Sequence, residues 1–260
     1  MQTRQFGSQT TDPPTSGAGS IEGEGGWVWI DVLLEGGDAG DLYALVSELD
    51  LDGVAVGDAI EEIDLPKVDD FGHHLLVVLH GLHEDRIETS EIDCFVTAST
   101  LVTIRHTPSQ GIDALFAQLE QNPGLAIGSV DELLARVSDV LTRRLLSVLE
   151  AFDDLVEDLV GQALDADPRM LSEWMAIRRD VAAVRRVVHP QREALDLLRQ
   201  SPSPLITDTG RRRFSDAFDV ATRVASGLDE ARSELAEILN AYRGAEARQA
   251  TDVTKVLTVY

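Results

Sequence analysis

The sequence is short of aromatic residues and of cysteine, and it contains no long apolar run. Aromatic residues make up 5% of its 260 residues, so a core must be built mainly from Leu, Val, Ile and Ala. The single cysteine, Cys94, excludes an internal disulfide and fits a reducing compartment. Its neighbours are apolar, so we expect Cys94 to be a buried core residue. No segment of about 18 consecutive apolar residues occurs, so none is expected to span a bilayer.

Basic residues are also scarce relative to acidic ones. The chain has 22 Lys and Arg against 46 Asp and Glu, which gives a formal net charge of −24. A fold this acidic repels the phosphates of nucleic acids and the surfaces of anionic membranes, so no nucleic-acid partner is expected. It attracts cations, although acidity alone is more typical of a protein that is simply kept soluble.

The motifs of common enzymes are missing as well. There is no Gly-rich phosphate loop, HExxH, GxSxG or CxxC, and we predict no enzyme and no catalytic residue. The adjacent acids Asp153 and Asp154 would diverge by about 100° on a helix, which does not suit a shared metal ion. We interpret the run Arg211–Arg213 as a solvated patch or one that pairs with another subunit.

What the chain does have is a change of pattern near Pro123. Residues 1–25 are rich in Gly, Ser, Thr and Pro, and they predict a disordered tail. Residues 26–125 mix β-prone runs with short amphipathic segments, and they predict an α/β head domain. The predicted strands cover residues 27–32, 75–79, 94–96 and 101–104, and the predicted helices cover residues 41–51 and 54–63.

Beyond Pro123, apolar residues recur with the helical period. Residues 126–205 predict a hairpin of two long helices. Residues 206–260 predict one stalk helix about 80 Å long at 1.5 Å per residue, which must pack against other long helices. Its expected buried seam comprises residues 218, 221, 225, 228, 235, 239 and 242, with Arg232 as a break. The predicted fold class is α+β: a small mixed or antiparallel sheet flanked by helices, followed by long helices.

Two features of the stalk helix leave alternatives open. Gly227 and Gly244 lie inside it, and they indicate either a close helix approach or mere tolerance. Residues 253–260 are apolar and lack a cap, which fits either a frayed last turn or a helix cut inside a continuing apolar segment. We expect the second, with the stalk truncated at the start of a first transmembrane helix.

Five segments, in order, resemble the CorA family of magnesium transporters. They are Trp29-Ile30-Asp31-Val32, Val56–Ile60 with Leu65–Phe71, His189–Leu195, Phe214–Asp219 and Thr254–Thr258. Together they span residues 27–260, and their spacing matches from Asp139 to the end. The family's Gly-Met-Asn motif would lie beyond Tyr260.

The resemblance implies an architecture and a function. It implies a homopentameric funnel in which α/β heads surround stalk helices that continue into the inner membrane as a pore. The chain would be the cytoplasmic sensing domain of a divalent-cation transporter, and Mg²⁺ bound between protomers would favour the closed state. A ZntB-like zinc transporter is the alternative, and a soluble helical scaffold is a more distant one.

The resemblance also carries a candidate metal site onto Asp58, Asp139 and Asp216. Mg²⁺ keeps most of its waters, so one or two carboxylates from each protomer would suffice to hold it. Without the ion, facing carboxylates would repel one another. The family has a Glu where Gly57 stands, so one ligand is lost here. The alternative is that all three are ordinary solvated acids on helix surfaces.

Three stalk positions depart from the family pattern, and they bear on which ion is carried. Asn240 replaces an Asp, Arg243 replaces an apolar gate residue, and Thr251 replaces an Asn. Magnesium selectivity therefore does not transfer directly, and Zn²⁺, Co²⁺ or Ni²⁺ stay open.

The histidines His73, His74, His80 and His83 are a further candidate for a soft metal. On a strand, His74 and His80 would lie about 20 Å apart, which is too far for one ion. We therefore expect these histidines to be solvated or satisfied by hydrogen bonds.

Overall fold

The computed structural model describes residues 2–7, 26–34, 40–61, 64–83, 87–122 and 128–258. The strands are β1 (Gln2–Gly7), β2 (Val28–Leu33), β3 (Lys67–Asp70), β4 (Leu75–Leu82), β5 (Thr89–Val96) and β6 (Thr100–Arg105). The helices are α1 (Gly40–Glu48), α2 (Gly53–Glu61), α3 (Gln110–Gln121), α4 (Val130–Leu164), α5 (Met170–Arg199) and α6 (Asp208–Thr258).

The strands form one mixed sheet in the order β1-β2-β6-β5-β4-β3. Strands β2 and β6 are parallel, and every other neighbouring pair is antiparallel. Helices α1 and α2 pack on one face, whereas α3 and α4 cover the other. The predicted fold class is confirmed, and the sheet is mixed rather than purely antiparallel.

The apolar run at the start of β4 shows why the strands of the head were recognisable. Leu75, Val77 and Leu79 point into the core beneath α3 and α4. Leu76 and Val78 alternate with them and point into the core beneath α1 and α2. A strand that is covered on both faces needs apolar residues at consecutive positions rather than at every second one.

The predicted tail is wrong for residues 2–7, which form strand β1 at the edge of the sheet, antiparallel to β2. Phe6 anchors this strand, because its ring lies 5.9 Å from that of Trp27 and 6.4 Å from that of Phe116. An edge strand pairs along one side only and can be short and polar, so its sequence carries little apolar signal. Residues 8–25 of the predicted tail lie outside the described residues.

The long helices follow the predicted boundaries closely, but the seam of α6 is shifted. Val220 and Ala225 of α6 are buried, and its main buried seam comprises Phe214, Ala217, Ala221, Val224, Leu228, Ala231, Leu235, Ile238, Tyr242 and Ala245. They alternate three and four residues apart without a break, which is the spacing of a knobs-into-holes seam. Five of the seven predicted seam residues are buried, at 221, 225, 228, 235 and 242, and four of them form one row of the observed seam, whereas Phe218 and Leu239 are half-buried. The second row is formed by the smaller residues at 217, 224 and 231 and by Ile238, and Arg232 is simply exposed.

Small residues let α4 and α6 approach closely. A Cβ atom added at Gly227 would collide with the side chain of Leu149 on α4, whereas one added at Gly244 would meet no atom within 4 Å. Close approach of α4 and α6 therefore explains Gly227, whereas Gly244 is merely tolerated in the helix. Within the described residues, no helix carries a stretch apolar enough to cross a bilayer.

Candidate functional site

Asp139 and Asp216 lie on the same groove, near the junction of the head and the long helices. Asp139 is half-buried on α4, and Asp216 is exposed on α6. The groove has a volume of about 360 Å³, and Arg136, Arg143 and Arg213 also line it. We call it the junction groove. The extensive packing of α4 on α6 thus brings together two of the three predicted metal ligands.

Guanidinium groups neutralise the acids of the junction groove. The Arg143 Nε–H group lies 2.8 Å from both carboxylate oxygens of Asp139, one helical turn away. This hydrogen bond and the charge of Asp139, with a smaller effect of Asp216, raise the pKa of Arg143. Arg213 donates from Nε to Glu132 at 2.9 Å. A cation entering the groove would have to displace Arg143 from Asp139.

Burial and a like charge affect the third arginine of the groove. Desolvation, followed by repulsion from Arg213, lowers the pKa of Arg136, and the charge of Glu132 partly opposes both effects. The groove therefore holds closely balanced positive and negative charge rather than a bare cluster of carboxylates. Its donors toward a cation are oxygen atoms, which suit a hard ion such as Mg²⁺ better than a soft one.

Asp58 lies elsewhere in the fold. Helix α2 buries Ala55, Val56 and Ala59 against the sheet face opposite to the one that α4 covers. The half-buried Asp58 is thus separated from the junction groove by the sheet. Among the residues that the structure describes, no group of three or more His, Cys, Asp or Glu is placed to hold a metal ion. Only a second copy of the chain could bring Asp58 to this groove.

The glycine beside Asp58 is not required by packing. A Cβ atom added at Gly57 would meet no atom within 4 Å, and the residue is half-buried on α2. A Cβ atom, and so the start of a longer side chain, is therefore accommodated at this position. The fold therefore does not require the glycine that stands where the resemblance implies a Glu.

The three stalk positions share one side of α6. Asn240, Arg243 and Thr251 are all exposed, opposite the buried seam. The Thr251 hydroxyl donates to the Ala247 carbonyl at 2.9 Å, within the same helix. Within the described residues, no other long helix of the chain covers this side of α6.

The histidines are engaged separately and do not converge on one ion. His73 Nε2 lies 2.6 Å from the Asp50 carbonyl and 3.0 Å from His74 Nδ1. The ring of His74 stacks on Phe71 at 4.6 Å, and burial lowers its pKa. His80 Nε2 lies 2.9 Å from the Asp64 carbonyl. The expectation of satisfied histidines is confirmed for these three residues.

Cys94 is confirmed as a core residue. It is completely buried on β5 between Ile92 and Val96, which point the same way. Burial, followed by the charge of Asp93, raises the pKa of its thiol well above the ordinary value. A thiol held protonated in this way is a poor nucleophile and a poor metal ligand.

The sequence reading missed a charged network inside the head. Asp31, which is 1% exposed, accepts hydrogen bonds from Thr103 Oγ1 at 2.7 Å and from Arg105 Nη2 at 2.9 Å. Trp29 Nε1 donates to Thr103 Oγ1 at 3.0 Å, and Arg105 Nη2 also reaches Asp113 at 2.9 Å. The network joins β2, β6 and the first turn of α3. The available signal was one charged residue in each of two β-prone runs, and in the parallel pair Asp31 lies opposite Thr103 whereas Arg105 lies opposite Leu33.

A second missed cluster lies on strand β5. Glu91 and Asp93, two residues apart, point to the same face and are 2% and 1% exposed. Burial, then the charge of Glu91 and a hydrogen bond to it, raises the pKa of Asp93 to about 9. Glu91 also accepts a hydrogen bond from the Asp64 backbone N–H at 2.8 Å, and Asp64 pairs with Lys67 at 2.7 Å. Polar residues at Ser90, Glu91 and Asp93 are why the predicted strand began only at Cys94.

The family can now be compared directly. The CorA-like Mg2+ transporter protein family model matches residues 24–260, almost the whole chain. The chain belongs to this family. The resemblance carried by the five ordered segments is thereby confirmed.

Individual CorA-family relatives are distant. The chain is 23% identical over 202 residues to the cobalt/magnesium transport protein CorA of Thermotoga maritima, covering 75% of this chain and 57% of that protein. It is 24% identical over 198 residues to the zinc transport protein ZntB of Yersinia enterocolitica, covering 74% and 57%. The chain thus spans little more than half the length of either relative.

The fold is shared with a solved CorA structure. The complete structure of the CorA magnesium transporter from Methanocaldococcus jannaschii has a TM-score of 0.78 and 19% identity, covering 89% of this chain and 74% of that one. This similarity concerns the arrangement of the sheet and the long helices.

Proposed function

We propose that the chain is the cytoplasmic portion of a divalent-cation transporter of the inner membrane, and that it senses the ion and does not catalyse a reaction. The observation that carries the proposal is the geometry of α6. This helix starts under the head at Asp208 and continues for 51 residues, and the family match extends to Tyr260. Its exposed side, with Asn240, Arg243 and Thr251, is suited to pack against copies of itself in a homopentamer.

The junction groove is the proposed sensing site. Asp58 of one protomer would face Asp139 and Asp216 of its neighbour, and Mg²⁺ between them would hold head and stalk together in the closed state. Carboxylate oxygens fit a hydrated hard cation. When bound, the ion would neutralise the repulsion between facing acids, which biases a two-state interface. Arg143 holds Asp139 in place until the ion competes for it.

The zinc-transport alternative rests on one observation and one expectation. Identity to the zinc transport protein is 24%, as high as the 23% to the cobalt/magnesium protein. The resemblance also implies that Asn240, Arg243 and Thr251 depart from the pattern of magnesium transporters. The carboxylate oxygens of Asp139 and Asp216 in the junction groove favour Mg²⁺ as the sensed ion, whereas the transported ion depends on the pore.

A Mg²⁺ titration of thermal stability tests the sensing site. We expect Mg²⁺ to raise the melting temperature and slow proteolysis of the assembled protein, and Asp58→Ala with Asp216→Ala to abolish both responses. Asp219→Ala removes an exposed acid from the next turn of α6 and serves as the matched control. An unchanged Mg²⁺ response in the double variant would remove these residues from the site. Repeating the titration with Zn²⁺, Co²⁺ and Ni²⁺ ranks the ions.

A further inference from the structure

Five carboxylates gather on a groove far from the head. It lies between α4 and α6, has a volume of about 670 Å³, and is lined by Asp153, Glu157, Glu230, Glu234 and Glu237. We call it the acidic groove. Within the described chain, none of these acids forms an ion pair. Leu164 projects into the groove with 61% of its surface exposed, so an apolar residue sits among the charges.

A groove of opposite charge lies between α5 and α6. It has a volume of about 310 Å³ and is lined by Arg178, Arg179, Arg185 and Arg232, together with Met175, which is 62% exposed. We call it the basic groove. Such a concentration of arginine is unexpected in a chain with a net charge of −24.

Part of the positive charge in the basic groove is available to a partner. Arg185 pairs with Asp229, and Arg179 pairs with Asp180. The Arg178 guanidinium stacks over the Trp174 ring at 5.5 Å, which leaves its N–H groups free of a carboxylate in the described chain. Arg232 likewise meets no carboxylate among the residues described. Arg178 and Arg232 can therefore pair with carboxylates from outside the described chain.

The two grooves lie on opposite flanks of α6 at the same height. At 100° per residue, Glu230, Glu234 and Glu237 fall on one side of the buried seam and Arg232 falls on the other. The acidic groove involves residues 230–241 of α6, and the basic groove involves Arg232 and Leu235. Residues 232 and 235 lie within the range 230–241, so the two grooves share the same stretch of α6.

We propose that the acidic groove of one copy docks on the basic groove of the next copy. The two surfaces match in charge, and each offers an exposed apolar side chain, Leu164 or Met175, for the centre of the contact. A contact between two different patches is heterologous, and it closes into a ring when successive copies do not rise along the axis. Because the two grooves lie at the same height on α6, successive copies need not rise along the axis, and the ring can close. The inference rests on the proposed assembly of protomers around parallel stalks and names the surfaces that hold it.

Charge reversal tests the docking. The acid-reversed variant carries Glu234→Arg and Glu237→Arg, and the base-reversed variant carries Arg178→Glu and Arg232→Glu. Each places like charges in contact, so we expect self-association to weaken by roughly 100-fold in sedimentation velocity with Mg²⁺ present. An equimolar mixture should regain association, because introduced arginines meet introduced glutamates. Glu193→Arg with Arg223→Glu reverses one charge of each sign outside both grooves and should behave as the unaltered chain does.

Cysteine cross-linking supplies a second measurement that does not depend on charge. Glu234→Cys and Arg178→Cys combined in one chain should give a ladder of disulfide-linked multimers on mild oxidation, whereas each single variant should give at most dimers. Circular dichroism establishes that every variant is folded. The buried Cys94 stays outside this chemistry.

Three results would overturn the docking: reversed variants that assemble like the unaltered chain, a mixture that does not associate, or a monomeric unaltered chain under all conditions. Assembly that ignores the reversals while Asp58 and Asp216 still govern the Mg²⁺ response would refute the docking and leave the sensing proposal intact. A folded chain that docks normally and shows no Mg²⁺ response would refute the sensing proposal and leave the docking intact. Binding of a polyanion or a cation to the separate monomer would identify a different occupant and also count against a second copy.

Discussion

The head and the long helices solve the problem of an acidic sequence in opposite ways. The head buries Asp31, Glu91, Asp93 and Arg105: Arg105 pairs with Asp31, and burial beside Glu91 raises the pKa of Asp93. Apart from the buried Asp131, the long helices keep their described charged side chains at least partly exposed, and they build their contacts mainly from apolar side chains at regular spacing. The head therefore depends on a few polar contacts whose loss leaves a buried charge. The helical part depends on many interchangeable apolar contacts.

The strongest test of this difference between the head and the long helices is to remove one carboxylate of an ion pair from each region. Asp31→Ala should cost about 3–5 kcal/mol in the free energy of unfolding, because the buried Arg105 would lose its buried partner and keep the more exposed Asp113. Asp229→Ala, which removes the exposed partner of Arg185 on the long helices, should cost less than about 1 kcal/mol. Urea unfolding of both variants measures the difference. Equal losses would show that burial of the head network carries no special weight.

The junction between the two regions should show the next largest effect. A Cβ atom at Gly210 would collide with the Asp131 carboxylate. Asp131 is buried and accepts hydrogen bonds from the Thr207 N–H and hydroxyl, both at 2.8 Å, at the start of α6. Gly210→Ala should therefore cost roughly 2–3 kcal/mol through the lost hydrogen bonds and overpacking.

Gly244→Ala on the distal part of α6 is the matched substitution. It meets no atom and replaces a poor helix former, so it should stabilise by about 1 kcal/mol at most. Differential scanning calorimetry of the two alanine variants compares them under one condition. A destabilised Gly244→Ala variant would indicate that this side of α6 is covered in the assembly.

Titration sharpens the contrast further, because the head holds a carboxyl group with a pKa of about 9. Asp93 binds a proton in the folded state between about pH 4 and 9, whereas in the unfolded chain it is ionised there. Stability from this group is complete below pH 4 and falls as pH rises toward 9, by at most about 1.4 kcal/mol per pH unit. Asp93→Asn should flatten this slope and stabilise the chain at alkaline pH. A slope that the substitution leaves unchanged would place the titrating group elsewhere.

The smallest expected effect concerns the outer surface of the head. Gly57→Glu adds the carboxylate that the family pattern contains, at a position that accommodates a Cβ atom. If the sensing proposal holds, the Mg²⁺ concentration at half-maximal protection should fall by roughly threefold to tenfold, as expected for one added oxygen ligand. Gly53→Glu adds the same charge one turn earlier on α2, also without a clash, and controls for charge alone. Equal shifts in both variants would indicate non-specific attraction.

The contrast between the two regions also explains what could be predicted. The boundaries of α4, α5 and α6 followed from apolar periodicity, because long amphipathic helices repeat their signal many times. In the head, β1 carries little apolar signal, and the first half of β5 contains Ser90, Glu91 and Asp93. Neither β1 nor the first half of β5 was therefore predicted as a strand. A single chain could indicate Asp139 and Asp216 only through resemblance, and the arginines of the junction groove were visible only once α4 and α6 were packed.

The length of α6 has a mechanical consequence. Asp216 lies eight residues from the start of a helix that runs from Asp208 to Thr258. If the start is the fulcrum, Asp216 is roughly 12 Å from it and the far end is roughly 75 Å from it, so a lateral shift at the first point is magnified about sixfold at the second. A movement of half an ångström at Asp216, smaller than most side-chain rearrangements, would swing the far end by about 3 Å. The protein would thus act as a lever, with its input placed close to the pivot.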